Sequence, residues 1–177
     1  ININVDASQG VAVLNADQSI TFTPTANFNG TVSLSYEVSD GDTQGRVLSV
    51  TESIVVNPVN DAPVSGSTSV SLTNGSEDTA YTFTASQLLQ GFSDVEGDTL
   101  SLVNLISSNG SLIDNQDGTF TFTPDANYNG TVMLTYEVSD GQVSTIASQT
   151  LILDPVVDTP EALVPVENQT TDEGQPF

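Results

Sequence analysis

A long internal repeat constrains this chain more than any other feature of its sequence. The segment at 21–32 reads TFTPTANFNGTV, and it recurs at 121–132 as TFTPDANYNGTV. The hexapeptide YEVSDG occurs at 36–41 and again at 136–141, in the same register. Repeats indicate units that stack or follow one another along the chain. A period of 100 residues is too long for the unit of a solenoid, so each repeat is expected to be a small domain.

The same repeat divides the chain into parts. NPVNDAP at 57–63 corresponds to DPVVDTP at 154–160, with an offset now of 97 residues that fits a shortened final hairpin. A period near 100 residues matches one immunoglobulin-like sandwich. We therefore expect the C-terminal half of one repeat over 1–58, a complete repeat over 59–157, and a linker with the start of a third repeat over 158–177. The chain is then expected to be an interior piece of a longer polypeptide that supplies the rest of the first repeat.

Alternating side chains predict β-strands within each repeat. Val132, Leu134, Tyr136 and Val138 occupy alternate positions of one segment, a period of two that turns one face toward a core. Asn-Gly and Asp-Gly pairs mark the turns between strands. The segment 85–91 predicts one short helical turn ended by its glycine. The expected fold class is all-β, with tandem immunoglobulin-like β-sandwich repeats of Greek-key topology.

The charge of the chain excludes several kinds of partner and chemistry. Asp and Glu number 23 against one basic residue, Arg46, and the formal net charge is −22. Phosphate binding needs clustered Lys or Arg, so no nucleic-acid partner is expected, and no apolar stretch is long enough for direct membrane insertion. The absence of His and Cys from the sequence excludes Ser–His and thiol catalysis. We expect that the chain is not an enzyme.

Acidic and amide side chains gather in the predicted turns and linkers. Loops of a sandwich meet at its two ends, so these groups are expected to crowd where repeats adjoin. Ca²⁺ takes six to eight oxygen ligands in flexible geometry, and sites for Zn, Cu or Fe would need His or Cys. The candidate Ca²⁺ ligands are Asn57, Asn60, Asp61, Glu77, Asp94, Glu96, Asp98, Asp125, Asp140, Asp154 and Asp158. Two alternatives remain open: each Asp or Asn caps a turn and stays solvated, or the acidic surface serves solubility in a salty medium.

Several motifs, in order, resemble a known family. SDVEGDTL at 93–100, DGTFTFTP at 117–124, YEVSDG at 136–141 and PVNDAP at 58–63 resemble the cadherin-like tandem repeats of giant bacterial adhesins, also described as RTX-type adhesin, VCBS-like or tandem-95 repeats. The resemblance covers nearly the whole chain. It implies cadherin-like sandwiches that form Ca²⁺-stiffened extender regions, secreted or on the bacterial cell surface. The segment 168–177 is similar to the opening of a related cadherin-like or dystroglycan-type module.

The resemblance also implies roles for particular residues. The stretch 59–63 resembles a cadherin linker, and the loop 94–98 resembles the acidic loop that a repeat offers to the junction before it. Asp140 stands where a cadherin repeat has a strand-end Asp for that same junction. Glu77, with Asp125, would serve the junction after its own repeat. The sequence departs from the family pattern at two positions. Thr25 stands where the other repeat has Asp125, and Val157 stands where the other linker has Asn60.

The expected partners are neighbouring repeats of the same polypeptide, with a host or surface ligand bound through other domains. A second hypothesis is a Ca²⁺-dependent carbohydrate-binding module, although the sequence has no Trp. A third is a glycosidase with paired carboxylates, for which no acid–base pair is marked. A fourth is a subunit of a surface layer or extracellular filament, which would use the same repeats for lateral self-assembly.

Overall fold

The computed structural model describes residues 2–41, 45–66, 71–159 and 173. Within them the chain forms fourteen β-strands and one short helix, which confirms the all-β prediction. The expected opening of a further module at 168–177 lies outside the described residues, apart from Glu173.

We keep the name first half-repeat for the predicted segment 1–58 and complete repeat for the predicted segment 59–157. The strands of the first segment are β1 (Asn2–Asn4), β2 (Gly10–Leu14), β3 (Ile20–Pro24), β4 (Gly30–Ser39) and β5 (Val47–Val56). The elements that follow are β6 (Val64–Ser65), β7 (Gly75–Ser76), β8 (Tyr81–Thr84), α1 (Ala85–Leu89), β9 (Phe92–Ser93), β10 (Ser101–Ser107), β11 (Ser111–Asp114), β12 (Thr119–Thr123), β13 (Gly130–Ser139) and β14 (Ser144–Asp154).

The first half-repeat contains two small antiparallel sheets. One has the order β1-β4-β5, and the other is the hairpin β2-β3. The β4–β5 ladder is long, since it runs from the pair Gly30–Val56 to the pair Ser39–Val47. β4 is the counterpart, one repeat earlier, of the segment whose alternating pattern the sequence predicts.

The following repeat has the sheets expected of a sandwich. Its larger sheet has the order β10-β13-β14-β7, and its smaller sheet has the order β11-β12-β8. The strands β6 and β9 form a separate short pair. The chain passes from the smaller to the larger sheet between β8 and β10 and again between β12 and β13. These crossings between sheets give the predicted Greek-key topology.

Both sheets of this repeat supply the core. Buried residues come from alternate positions of β13 and from β8, β12 and β14, as the period of two requires. The core comprises Leu72, Phe83, Leu88, Phe122, Val132, Leu134, Tyr136, Val138, Leu151 and Leu153. Phe83 and Phe120 stack with ring centroids 5.8 Å apart within the smaller sheet.

The helix α1 is a single capped turn. Thr84 accepts a hydrogen bond from the backbone N–H of Gln87, and the Gln87 side chain accepts one from the backbone N–H of Thr84. This reciprocal cap satisfies two donors that a helix start leaves free. The Tyr136 hydroxyl donates to the carbonyl of Leu88 at 3.0 Å and so ties the turn to β13. The predicted turn is confirmed, although it ends at Leu89, two residues before the glycine.

Contacts within the chain define two compact units. The first comprises residues 1–68, 91–103 and 137–146, and the second comprises residues 69–90, 104–136 and 147–177. Two groups of candidate ligands can therefore be described separately, each within its own unit.

Candidate functional site

The linker after β5 contacts two acidic loops in the first unit. The Asn60 side chain donates from Nδ2 to Asp140 Oδ2 at 2.8 Å and accepts at Oδ1 from Gln142 Nε2 at 2.6 Å. The backbone N–H of Asp61 donates to Glu96 Oε2 at 3.1 Å. We call these five residues the linker cluster. The structure thus brings together four of the residues that the sequence predicts as Ca²⁺ ligands.

Asp140 is held most firmly in this cluster. Its Oδ1 accepts from the backbone N–H groups of Gln142 at 2.6 Å and Val143 at 2.7 Å, and its residue exposure is only 9%. The bonds from Val143, the Asn60 amide and Gln142 lower the pKa of the Asp140 carboxyl below its ordinary value. Asp140 is therefore an anion at any pH near neutral.

The acidic loop 94–98 is folded around one carboxylate. Asp94 Oδ1 accepts from the backbone N–H groups of Glu96 at 3.0 Å and Asp98 at 3.1 Å. Gly97, with φ of +80°, permits the tight turn between them. The other oxygen, Asp94 Oδ2, is buried and has no hydrogen-bond partner among the described residues. A buried oxygen of this kind costs free energy unless something outside the described chain satisfies it.

A cleft of about 240 Å³ lies beside the linker cluster. It is lined by one aromatic ring, several amides and two carboxylates, from Asn27, Phe28, Asn29, Val56, Asn57, Pro58, Val59, Asp61 and Glu96. The candidate ligand Asn57 lies in this cleft, on an exposed part of the linker.

A second group of polar residues lies in the second unit, around Glu77. This carboxylate is almost fully buried, with 3% exposure. Its Oε1 accepts from the backbone N–H of Val156 at 2.6 Å, and its Oε2 accepts from Asn129 Nδ2 at 2.9 Å. Asp154 accepts both bonds of the Asn74 amide, at 3.0 and 3.2 Å. We call Asn74, Glu77, Asn129, Asp154 and Val156 the exit cluster.

The remaining candidate ligands have other surroundings. Asp125 Oδ2 accepts from Asn109 Nδ2 at 2.8 Å, so its described side-chain bond is to Asn109 rather than to Glu77. Asp98 and Asp158 are exposed. Their proposed role as metal ligands stays a prediction.

Within the described part of the chain, no three Asp, Glu, His or Cys side chains are grouped closely enough to hold a metal ion by themselves. A Ca²⁺ site here would therefore need amide and backbone carbonyl oxygens beside the carboxylates. Ca²⁺ accepts such mixed sets of oxygen donors. In the acidic loop 94–98, Asp94 Oδ2 is the buried oxygen without a described hydrogen-bond partner.

Sequence reasoning missed the amide side chains that organise both clusters. Gln142 was not singled out, and Asn74 and Asn129 belong to Asn-Gly pairs that indicate turns. The available signal was their position, because Asn74 stands three residues before Glu77 and Asn129 lies in a repeated motif. A buried carboxylate such as Glu77 needs nearby N–H donors, and the Asn129 amide is such a donor.

No helix within the described residues is both long and apolar enough to cross a membrane.

The model of the family described as "Cadherin-like domain" matches residues 1–57 and 59–154. No curated protein matches the chain.

Three solved chains of endo-fucoidan hydrolases from glycoside hydrolase family 107 are similar in structure. MfFcnA4 is 25% identical with a TM-score of 0.43, and the match covers 88% of this chain and 24% of that chain. MfFcnA9 is 18% identical with a TM-score of 0.35, and the match covers 86% of this chain and 28% of that chain. The chain thus spans about a quarter of the length of these hydrolases, and TM-scores this low carry no conclusion about function.

Proposed function

Because the chain belongs to the cadherin-like domain family, we propose that it is a structural extender segment of a large secreted or cell-surface adhesin, stiffened by Ca²⁺ at the junctions between its repeats. Cadherin-like domains are typically extracellular adhesion-type modules. The family match covers most of the sequence in two consecutive stretches, and the second begins at the linker stretch 59–63. The proposal therefore centres on that linker.

The observation that carries the calcium proposal is the free oxygen of Asp94. Its Oδ2 is buried without a described partner, while Oδ1 already accepts two backbone N–H bonds. A carboxylate fixed through one oxygen presents the other in a defined direction. Such an arrangement suits a hard cation, which prefers charged oxygen ligands.

Residues of the linker cluster carry further oxygen donors, from two consecutive parts of the chain. Glu96 and Asp140 come from the complete repeat, and Asn60 and Asp61 come from the linker that leads into it. When bound, Ca²⁺ would offset the negative charges of these carboxylates. Hydrogen bonds from the linker already hold Glu96 and Asp140, so the linker and the acidic loops are positioned next to each other.

The charge of the chain supports an external cation. With 23 acidic residues and one basic residue, internal ion pairs cannot neutralise the surface. Like charges crowded at a linker repel one another and oppose a compact arrangement. Extracellular Ca²⁺ modules bind with dissociation constants of roughly 10⁻⁴ to 10⁻³ M, a range suited to tissue fluid or seawater.

Titration with CaCl₂ followed by amide NMR tests the site. We expect saturable shifts at Asp61, Glu96 and Asp98 in the wild type, and binding weakened at least about tenfold in Asp94→Asn, since a neutral amide replaces a charged ligand. Asp114→Asn is the matched control, because Asp114 makes a similar bond to the N–H of Gln116 in a distant hairpin. Equal affinity of the two variants, or no saturable shifts, would contradict the site.

The extender role has its own measurement. Small-angle scattering of a chain with at least two complete repeats should show a stiffer, more extended particle in millimolar CaCl₂ than in a chelator. An identical profile in both conditions would contradict stiffening by Ca²⁺, even if binding were observed.

A further inference from the structure

We infer that Glu77 latches the chain where it leaves the complete repeat, through hydrogen bonds that need no metal ion. Glu77 is 3% exposed, and each of its carboxylate oxygens accepts one N–H bond. The bond from the backbone N–H of Val156, at 2.6 Å, reaches beyond the last strand, since β14 ends at Asp154. The latch therefore acts on the first residues of the outgoing linker.

Adjacent residues hold the same stretch of chain by other contacts. β7 pairs in parallel with the end of β14, with Gly75 opposite Leu153 and Ser76 opposite Asp154. The backbone N–H of Glu77 then donates to the carbonyl of Asp154 at 3.0 Å. Backbone pairing thus continues through Glu77 to Asp154. The Glu77 side chain then binds Val156, two residues further along the chain.

Burial explains why this contact is strong. A buried carboxylate is costly unless N–H donors satisfy it, and bonds to a charged acceptor are about twice as strong as neutral ones. Asn129 supplies the second donor, from the turn before β13. Releasing the linker would leave the Glu77 carboxylate short of a partner in a buried place. The folded repeat therefore favours the latched chain.

The latch ends abruptly. Val156 is about half exposed, at 48%, whereas the next residue, Val157, is 97% exposed. The linker is thus fixed by side-chain contact up to Val156 and open to solvent after it. We expect movement of the outgoing chain to begin at Val157 rather than at the end of β14.

This inference goes beyond the proposed calcium function and does not depend on it. A carboxylate oxygen has two acceptor positions, so Glu77 keeps capacity for a cation while both N–H bonds persist. The latch is present in a chelator if the inference is right, whether or not Ca²⁺ binds elsewhere.

Hydrogen exchange of the Val156 amide in a chelator tests the latch. We expect protection in the wild type and a loss of about ten- to a hundredfold in Glu77→Ala, because a charge-assisted bond is removed. Glu77→Gln should lose less, since its amide oxygen can still accept the Val156 bond. Asp78→Asn is the matched control: it also removes one negative charge, but Asp78 binds the N–H of Asn127 and not the linker.

Amides in the middle of β13 and β14 report whether each variant is folded. If Glu77→Ala loses their protection as well, Glu77→Gln decides. It keeps the shape of the side chain but not its charge, so it should still protect Val156 less than Asp78→Asn does. An unprotected Val156 amide in the wild type would overturn the inference. Equal protection of Val156 in the folded Glu77 variants and in Asp78→Asn would overturn it too.

Discussion

The five strands of the first half-repeat correspond to the last five strands of the complete repeat, β10 to β14, but they are buried differently. Val38 and Val138 occupy the same place in the motif YEVSDG, yet Val38 is 40% exposed and Val138 is fully buried. Phe22 is partly exposed, whereas its counterpart Phe122 is fully buried. In the complete repeat β8 and α1 add Phe83 and Leu88 to the core. Identical local sequence therefore gives the same strands, but distant segments decide how much of each strand is core.

Several local backbone features, in contrast, are shared by both regions. Asn27 and Asn127 both have positive φ, of 61° and 57°, and the following motif glycines, Gly30 and Gly130, have φ of 125° and 124°. The β2–β3 and β11–β12 hairpins share a side-chain pattern in which one Asn amide bridges two hydroxyls. Turns and hairpins follow from neighbours in sequence, so they repeat faithfully.

The largest expected effect comes from the paired phenylalanines. Phe122→Ala should destabilise its repeat by about 3–5 kcal/mol, since it removes a fully buried ring and leaves a cavity. Phe22→Ala should cost less than half as much, because that ring is already partly exposed. Native-state hydrogen exchange of amides in β12 and β3 measures the two effects separately. Equal losses of stability in the two variants would show that the difference in burial between Phe22 and Phe122 does not affect the free energy of unfolding.

The paired valines sharpen the same contrast on a smaller scale. Val138→Ala should cost about 2 kcal/mol, from two lost carbons and a small cavity. Val38→Ala should stay within about 0.5 kcal/mol, as expected for an exposed site. Exchange rates of amides in β13 and β4 give the comparison. A larger effect at Val38 than at Val138 would contradict the burial difference between β4 and β13.

The hairpin amides should instead behave alike. Asn115 donates to the hydroxyls of Thr119 and Thr121, and Asn15 donates to those of Ser19 and Thr21. Replacement of either by Ala should cost about 1 kcal/mol, the usual net value of such bonds. Unfolding of each hairpin, followed by exchange of its amides, checks this. A difference well above this value would mean that long-range packing, not the local pattern, supports one hairpin.

The smallest expected effect is the titration of two hairpin carboxylates. The side-chain hydroxyl and then the backbone N–H of Thr119 lower the pKa of Asp117, and those of Ser19 lower the pKa of Asp17 in the same way. A lowered pKa stabilises the fold above the unfolded-state pKa, and this contribution is lost as the pH falls through the folded pKa. Carbon-detected NMR titration should show both carboxyls below the ordinary Asp value. A pKa at or above the ordinary Asp value for Asp17 or Asp117 would contradict the hydrogen-bond pattern that the two hairpins share.

The sequence predicted the all-β class, the strands and the helical turn because these depend on period-two patterns and on local turn residues. It also predicted that Asn60, Asp61, Glu96 and Asp140 serve the same junction, from the linker motif and the acidic loop. It did not indicate that the Gln142 amide would hold Asn60, or that Glu77 would hold Val156. Those contacts join residues about 80 positions apart, and a single sequence carries no signal for such pairs unless a repeated motif marks both.

Burial differences between equivalent strands were also beyond prediction. Val38 and Val138 have the same neighbours in sequence, so no local property distinguishes them. The difference appears only in the folded chain, where Val138 is fully buried and Val38 is 40% exposed.

Crystals grown in millimolar CaCl₂ test the central claim most directly, through an anomalous difference map around Asp94. We expect a peak within coordination distance of Asp94 Oδ2, about 2.3–2.6 Å, with further oxygens from the acidic loop and the linker around it. A map with only water, or nothing, at that oxygen would contradict the calcium junction.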